Sequence, residues 1–246
     1  MGSIPITRSI SPSIASGKAP LIRFEAVTVR ADDGRSILDD ITVAWDQPRV
    51  GVIGANGSGK STFVRLLNGL VRPAAGAVHV DGLRVDRNLA SVRQRVGFVF
   101  QQPDHQIVMP TVAEDVAFGL TNQGLPTVQI ESRVREVLAR YGLSHLAARA
   151  CYRLSGGEKQ LLALAGVAAM LPSLIVFDEP TALLDLRNRN RVRAAIAELS
   201  QHVVLVTHDL ELLEDFDRVL VFDGGRLIFD GVPASATLAY RESIAD

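Results

Sequence analysis

The stretch "RVGVIGANGSGKSTFVRLLNGL", residues 49–70, decides the fold. Its first six residues are almost wholly apolar, which suits a short strand buried on both faces. From Lys60 onward Phe63, Leu66, Leu67 and Leu70 recur at spacings of three and four, so a helix is predicted, with Gly69 near its end. Between them lies "GANGSGKS" (54–61), which matches every fixed position of G-x-x-x-x-G-K-[ST]. Gly54, Gly57 and Gly59 permit backbone conformations closed to other residues, so successive N–H groups can point inward at phosphate oxygens. The helix start adds its positive dipole end. Lys60 supplies a full charge for β- and γ-phosphates, and Ser61 offers a hydroxyl to Mg²⁺.

A phosphate cradle gives meaning to "FDEPTALLDL", residues 177–186. Asp178 and Glu179 stand at the end of an apolar run, where a carboxylate is costly unless a positive group answers it. Beside the cradle, Asp178 can hold Mg²⁺ directly or through water. Glu179 is expected to point elsewhere, because strand side chains alternate, and to polarise a water for in-line attack on the γ-phosphate. Holding a metal and activating water are separate jobs, so two carboxylates are needed.

Outward from these motifs the chain reads as α/β. Strands are predicted at 21–30, 36–45, 76–82, 95–100, 173–178, 202–209 and, folded as a hairpin over "DGG", 218–231. From 102 to about 171 the chain is expected to be a helical subdomain inserted between sheet segments. Thr111 with Glu114 three residues later is a capping box there. Strands alternating with helices imply a largely parallel sheet. The arginine-spaced run "RNRNRVR" (187–193) reads first as a solvated helix face, and second as a site for an acidic partner or anionic surface. Residues 1–20 read as a flexible tail, and 232–246 as a C-terminal extension.

Composition narrows the classes. With 47% hydrophobic and 22% charged residues the chain is globular, and a net charge of -1 gives no footprint for nucleic acid. The single Cys151 excludes an internal disulfide and reads as a core residue. The longest apolar run of interest, "LLALAGVAAML" (161–171), ends at Pro172 and is too short to span a bilayer. The first 20 residues carry neither a secretory h-region nor a myristoylation pattern. Any action at a membrane is therefore expected to run through a partner.

"LSGGE" (154–158) adds a second anion-accepting helix start, with Ser155, Gly156 and Gly157. A phosphate-binding turn with no phosphate partner in its own half makes sense if it closes over nucleotide held by another copy. With "GANGSGKST", "FVFQQ", "LIVFDEP", "ALLD" and "VTHD" in this order and spacing, the chain resembles the ATP-binding-cassette (ABC) ATPases from about residue 21 to residue 231. The resemblance implies a P-loop NTPase core with a mostly parallel sheet, an antiparallel β subdomain and an inserted helical subdomain. It implies ATP and Mg²⁺ at Gly54, Asn56, Gly57, Ser58, Gly59, Lys60, Ser61 and Thr62. Ser61, Gln101 and Asp178 would serve the metal, while Glu179, His208, Gln101 and Lys60 would serve catalysis. Ser155 and Gly157, with Gly156 between them, would bind the γ-phosphate held by the opposite subunit, and Asp185 would lie at the dimer interface. His79, His105, His145 and His202 match no motif.

"QQPDHQIVMPTVAEDVAFG" after β-strand 95–100, and "AGVAAM" after the glycine turn, resemble the ATPases of energy-coupling-factor importers; "LLDLRNR" is most similar to the biotin-uptake members. That resemblance implies a second cassette, a transmembrane coupling subunit and a membrane-embedded substrate-binding subunit. It places the protein peripherally on the cytoplasmic face of the membrane, without nucleic acid. A conventional ABC transporter ATPase and a soluble non-transport cassette stay open as alternatives. One departure is visible: the position where family members place an adenine-stacking aromatic holds Ala31, and residues 26–36 contain no Tyr, Trp or Phe. Weaker adenine discrimination is therefore expected.

Overall fold

The computed structural model describes residues 21–244. The proposed flexible tail, residues 1–20, and the last two residues of the C-terminal extension lie outside the described residues.

Two sheets form the frame. Strands β1 (Ile22–Arg30), β2 (Ser36–Trp45), β4 (Ala75–Val80) and β5 (Leu83–Arg84) make an antiparallel sheet in the order β2-β1-β4-β5. The second sheet uses β3 (Arg49–Gly54), β6 (Val96–Val99), β7 (Leu174–Asp178), β8 (His202–Val206), β9 (Arg218–Asp223) and β10 (Arg226–Gly231). Its order is β10-β9-β3-β8-β7-β6, parallel throughout except for the β9–β10 hairpin. The α/β core with a mostly parallel sheet is what the strand alternation predicted, and the separate antiparallel sheet is what the family resemblance implied.

The parallel strands are apolar between their end residues because both faces are covered. Along β7, Leu174 and Val176 face a core shared with the antiparallel sheet, while Ile175 and Phe177 face the core shared with the helices. Helices α3 (Val112–Asn122), α4 (Thr127–Arg140) and α5 (Gly156–Ala169) fill the stretch between β6 and β7, and α6 (Leu186–Ala197) precedes β8. The Thr111–Glu114 capping box forms as read from the sequence.

Three short elements escaped sequence reading: β5, α2 (Leu89–Arg95) and α7 (Pro233–Ser243). Each helix buries a single side chain, Val92 and Ala236 respectively, so neither carries an apolar stripe to detect. The helix after the cradle, α1 (Lys60–Arg65), is shorter than its pattern suggested. Beyond it the Leu70 N–H turns to the Asn68 side chain and to Arg65 O, and Arg93 Nε donates to Asn68 O. These bonds compete with continuation of the helix, and Gly69 then takes φ 67°.

Candidate active site: a phosphate cradle facing a carboxylate and a histidine

The cradle is built by local rules. Gly54, Gly57 and Gly59 take φ of 151°, 78° and 98°. At Gly54 there is also no room: a Cβ would stand 2.1 Å from Phe222 O. Helix α1 is held in place by Phe63, whose ring stacks on Phe24 at 4.3 Å and packs against Phe222 at 4.7 Å. Phe63 thus pins the cradle's helix between the two sheets.

Lys60 is 6% exposed, and its Nζ donates to Gly54 O and Ala55 O at 2.8 Å each. Burial pushes its pKa down, and the nearby Glu179 and Asp178 carboxylates oppose that shift. The ammonium is thus held at the mouth of the loop by backbone dipoles. Ser58 Oγ is buried beside it without a hydrogen-bond partner. A buried hydroxyl without a partner, on a glycine loop with positive φ, fits an anion site.

The carboxylates differ from expectation in two respects. First, Asp178 has a positive partner on the chain itself. Its Oδ2 accepts from Arg65 Nη2 at 3.0 Å, and its Oδ1 accepts from Ser61 Oγ at 2.8 Å. Ser61 and Arg65 lie four residues apart on α1, so one helix face delivers both donors. That i,i+4 spacing was the available signal for Arg65, a site residue that motif reading missed. Second, Glu179 is not oriented by strand alternation. β7 ends at Asp178, and Glu179 takes φ 54°, a strained backbone for a non-glycine residue. Its N–H donates to Val206 O at 3.0 Å, which ties it to the end of β8.

Glu179 Oε1 is buried and accepts no hydrogen bond, although His208 Nε2 stands 3.0 Å away. The approach is close enough for a charge contact but off the line that a hydrogen bond needs. Burial is the main cause raising the Glu179 pKa; Lys60 and the His208 backbone N–H work against it. Burial, aided by Lys60, lowers the His208 pKa, so the imidazole is neutral near pH 7. A carboxylate with a bare oxygen beside a neutral imidazole can take a proton from a water.

These groups line one cleft of about 520 Å³. Asn56, Gly57, Gly59, Lys60, Ser61 and Thr62 form one wall, with Gln101, Glu179 and His208 opposite. Its donors suit Mg²⁺: the Ser61 hydroxyl and the Asp178 carboxylate meet 2.8 Å apart, with the Gln101 side chain in the same cleft. Oxygen ligands with one carboxylate are what this hard cation takes when substrate phosphates complete its shell. Arg35 and Ile37 line the cleft, and no aromatic residue does.

The second glycine turn stands apart. Ser155 caps α5 in a capping box: its N–H and Oγ donate to Glu158 Oε2 at 2.7 and 2.9 Å. Ser155, Gly156 and Gly157 are absent from the lining of the cradle cleft. Gly156 instead lines a neighbouring pocket of about 240 Å³ with Gln101, Asp104 and Lys159. Asp185 caps α6, its Oδ1 accepting from the Asn188 N–H at 2.8 Å. Of the proposed site residues, one chain gathers all but the 155–157 turn.

Known proteins give the same pattern. The model of the ABC transporter family matches residues 40–182, more than half of the chain. The chain is 48% identical over 224 residues to the biotin transport ATP-binding protein BioM of Rhizobium etli, covering 91% of this chain and 99% of that one. It is 44% identical over 221 residues to the energy-coupling factor transporter ATP-binding protein EcfA of Methanothermobacter thermautotrophicus, covering 87% and 71%. Among solved structures, cbiO1 of Clostridium perfringens, part of the ABC transporter complex cbiONQ, superposes with a TM-score of 0.81 at 32% identity, covering 93% of this chain and 94% of that one.

Proposed function

The chain belongs to the ABC transporter family of ATP-hydrolysing cassettes, and on that premise we propose that it is the ATPase subunit of an energy-coupling-factor importer for a vitamin or metal ion, with biotin as the first cargo to test. Two cassettes close over ATP, and their opening after hydrolysis moves membrane partners: a transmembrane coupling subunit and a substrate-binding subunit. The protein sits peripherally on the cytoplasmic face. Among the described residues no helix is long and apolar enough to cross a membrane, so the passage itself would belong to those partners.

The observation that carries this reading is the separation of the two anion-binding turns. The cradle cleft holds Lys60, Gln101, Glu179 and His208 but none of the 155–157 turn. A second cassette would supply that turn. Relatives named for biotin transport and energy-coupling factor, and a structural neighbour from the cbiONQ complex, favour an importer of this kind.

In the proposed chemistry, Lys60 and the 54–59 amides bind the phosphates and Ser58 Oγ gains a partner. Ser61 and Asp178, with Gln101, would hold Mg²⁺, which when bound neutralises charge on the transferring phosphate. Glu179 takes a proton from water at Oε1. His208, neutral and 3.0 Å from that oxygen, keeps its imidazole directed at the γ-phosphate side of the cleft. Ser155 and Gly157 of the partner cassette close the site from the other side. Only interactions that differ between open and closed states can drive movement in the membrane, and the contact between cradle and partner turn is the one that forms on closing.

The test is Glu179→Gln in the presence of Mg²⁺ and ATP. The variant should elute as a dimer with bound nucleotide, while the wild type hydrolyses ATP. A crystal of the loaded protein with each site completed within one chain would overturn the reading. Capture of a membrane coupling protein and a vitamin-binding membrane protein would support the importer assignment, and capture of ribosomes would end it.

A further inference from the structure

Two members of the arginine run 187–193 have definite partners. Both lie on α6, which is fixed at each end. At its start Asp185 accepts the Asn188 N–H, and the Asn188 side chain packs so closely on Gly157 that a Cβ there would be 2.3 Å away. At its end the Arg49 guanidinium donates to Ile196 O at 3.2 Å and Ala197 O at 3.4 Å, and also reaches Leu199 O. Arg49 is the first residue of β3, the strand that feeds the cradle. Cations at a helix C-terminus satisfy its last carbonyls and complement its dipole.

From the flank of this braced helix, Arg189 Nη1 stands 3.2 Å from Asp209 Oδ2, and Arg193 Nη2 donates to Glu211 O at 3.1 Å. Asp209 directly follows His208. On the other side of His208, Thr207 is 1% exposed, and its N–H points to Val52 O at 3.3 Å. The Thr207 Oγ1 accepts the Asp209 N–H at 3.0 Å. The histidine is therefore suspended between two anchored neighbours, and its imidazole projects toward Glu179.

We propose that Arg189 is a positioning residue for His208: its ion pair with Asp209 holds the loop at the height that keeps the imidazole against Glu179. The same helix carries Asp185 and abuts Gly157, so it links the histidine to the turn that a partner would use. The inference rests on the ATPase reading above. Both side chains of the pair are partly exposed, 37% and 20%, so the contact contributes little to stability. Its effect is geometric, and misplacing a catalytic group by about 1 Å can cost up to about 10²-fold in rate.

The experiment measures steady-state ATP hydrolysis and thermal melting of the full chain, together with the membrane partners that co-purify with it. Arg189→Gln and Asp209→Asn should each lower kcat about ten-fold while KM stays within about two-fold and Tm falls by no more than about 4 °C. Arg189→Lys, which keeps the charge, should recover most of kcat. Arg187→Gln removes the same charge from an exposed position of the helix and should leave kcat unchanged. Wild-type kcat in Arg189→Gln would overturn the inference. So would a joint fall of kcat and Tm that Arg189→Lys fails to correct, because that marks a structural role alone. A wild-type protein without ATPase activity would instead sink the reading beneath it.

Discussion

The two glycine turns, 54–59 and 155–157, look alike in sequence and differ in what their glycines do. In the first, Gly59 needs its conformation: φ is 98°, and a Cβ would also meet Leu38 at 2.6 Å. In the second, Gly157 sits in an ordinary helical backbone and is small only because Asn188 occupies the space. The first turn is closed around its own lysine, with Lys60 Nζ on two loop carbonyls. The second is filled by its own carboxylate, Glu158 on the Ser155 N–H and hydroxyl. Those hydrogen bonds hold the Glu158 pKa below the ordinary glutamate range, so the cap is ionised and intact near neutral pH. The first turn leaves the buried Ser58 hydroxyl without a partner. In the second, Glu158 already occupies the Ser155 N–H and hydroxyl.

That contrast can be broken experimentally, starting with the largest effects. Glu179→Gln should lower kcat by about 10²–10⁴-fold without loss of ATP binding; turnover at the wild-type rate would remove Glu179 from the role of base. Lys60→Ala should weaken ATP binding by about 10²–10³-fold, measured by titration calorimetry. Ser155→Ala should leave ATP binding to a single chain unchanged and lower only ATP-driven dimerisation. Equal loss of binding in both variants would mean that the two turns serve one site.

The glycines sharpen the comparison at a smaller scale. Gly157→Ala should destabilise the fold by about 1–3 kcal/mol through overpacking, and a second change, Asn188→Ala, should recover most of it in urea melts. Gly59→Ala should cost a similar amount, but Leu38→Ala should not rescue it, because the positive φ remains. Rescue at both positions would show that space, and not backbone conformation, sets both glycines.

Two smaller effects concern protons and bases. The folded-state pKa of Glu179 is raised, so the native state binds that proton more tightly than the unfolded chain does. Its ionisation therefore destabilises the fold as pH rises from the ordinary carboxylate range through the raised value. Glu179→Gln should raise Tm by a few degrees at pH 7 and by nothing at pH 4. Activity should show an acid limb centred above the ordinary glutamate pKa, because the base must be ionised. With Arg35 and Ile37 and no aromatic residue among the lining of the cleft, ATP and GTP should bind within about ten-fold of one another, the loss of one stacking contact. A strong preference for ATP would count against that.

Much of this molecule was legible because its main signals are local. β2 and β3 have the bounds read from the sequence, since period-two alternation and a continuous apolar run need no knowledge of distant neighbours. The capping box at Thr111 is likewise encoded within four residues, whereas Ser155, which reads as an open anion-accepting helix start, is boxed by Glu158. The elements missed, α2 and α7, bury almost nothing, so they had no periodic signature to read. Arg65 and the pairing of Arg189 with Asp209 escaped for another reason. Each depends on a partner outside its own helix: Asp178, 113 residues from Arg65, and Asp209, on the far side of β8 from Arg189.

The sequence by itself determined the cradle, because a positive φ, a lysine and a hydroxyl at fixed spacing are properties of residue type acting on adjacent backbone. It also determined that strand 49–54 is buried on both faces. Only the tertiary structure decided that Asp178 answers to Arg65, that Glu179 leaves its strand in a left-handed turn with one oxygen bare, and that Arg189 and Arg193 reach Asp209 and Glu211 next to His208. Those arrangements arise where separate helices and strand ends meet in space, and spacing along a sequence carries no measure of such meetings.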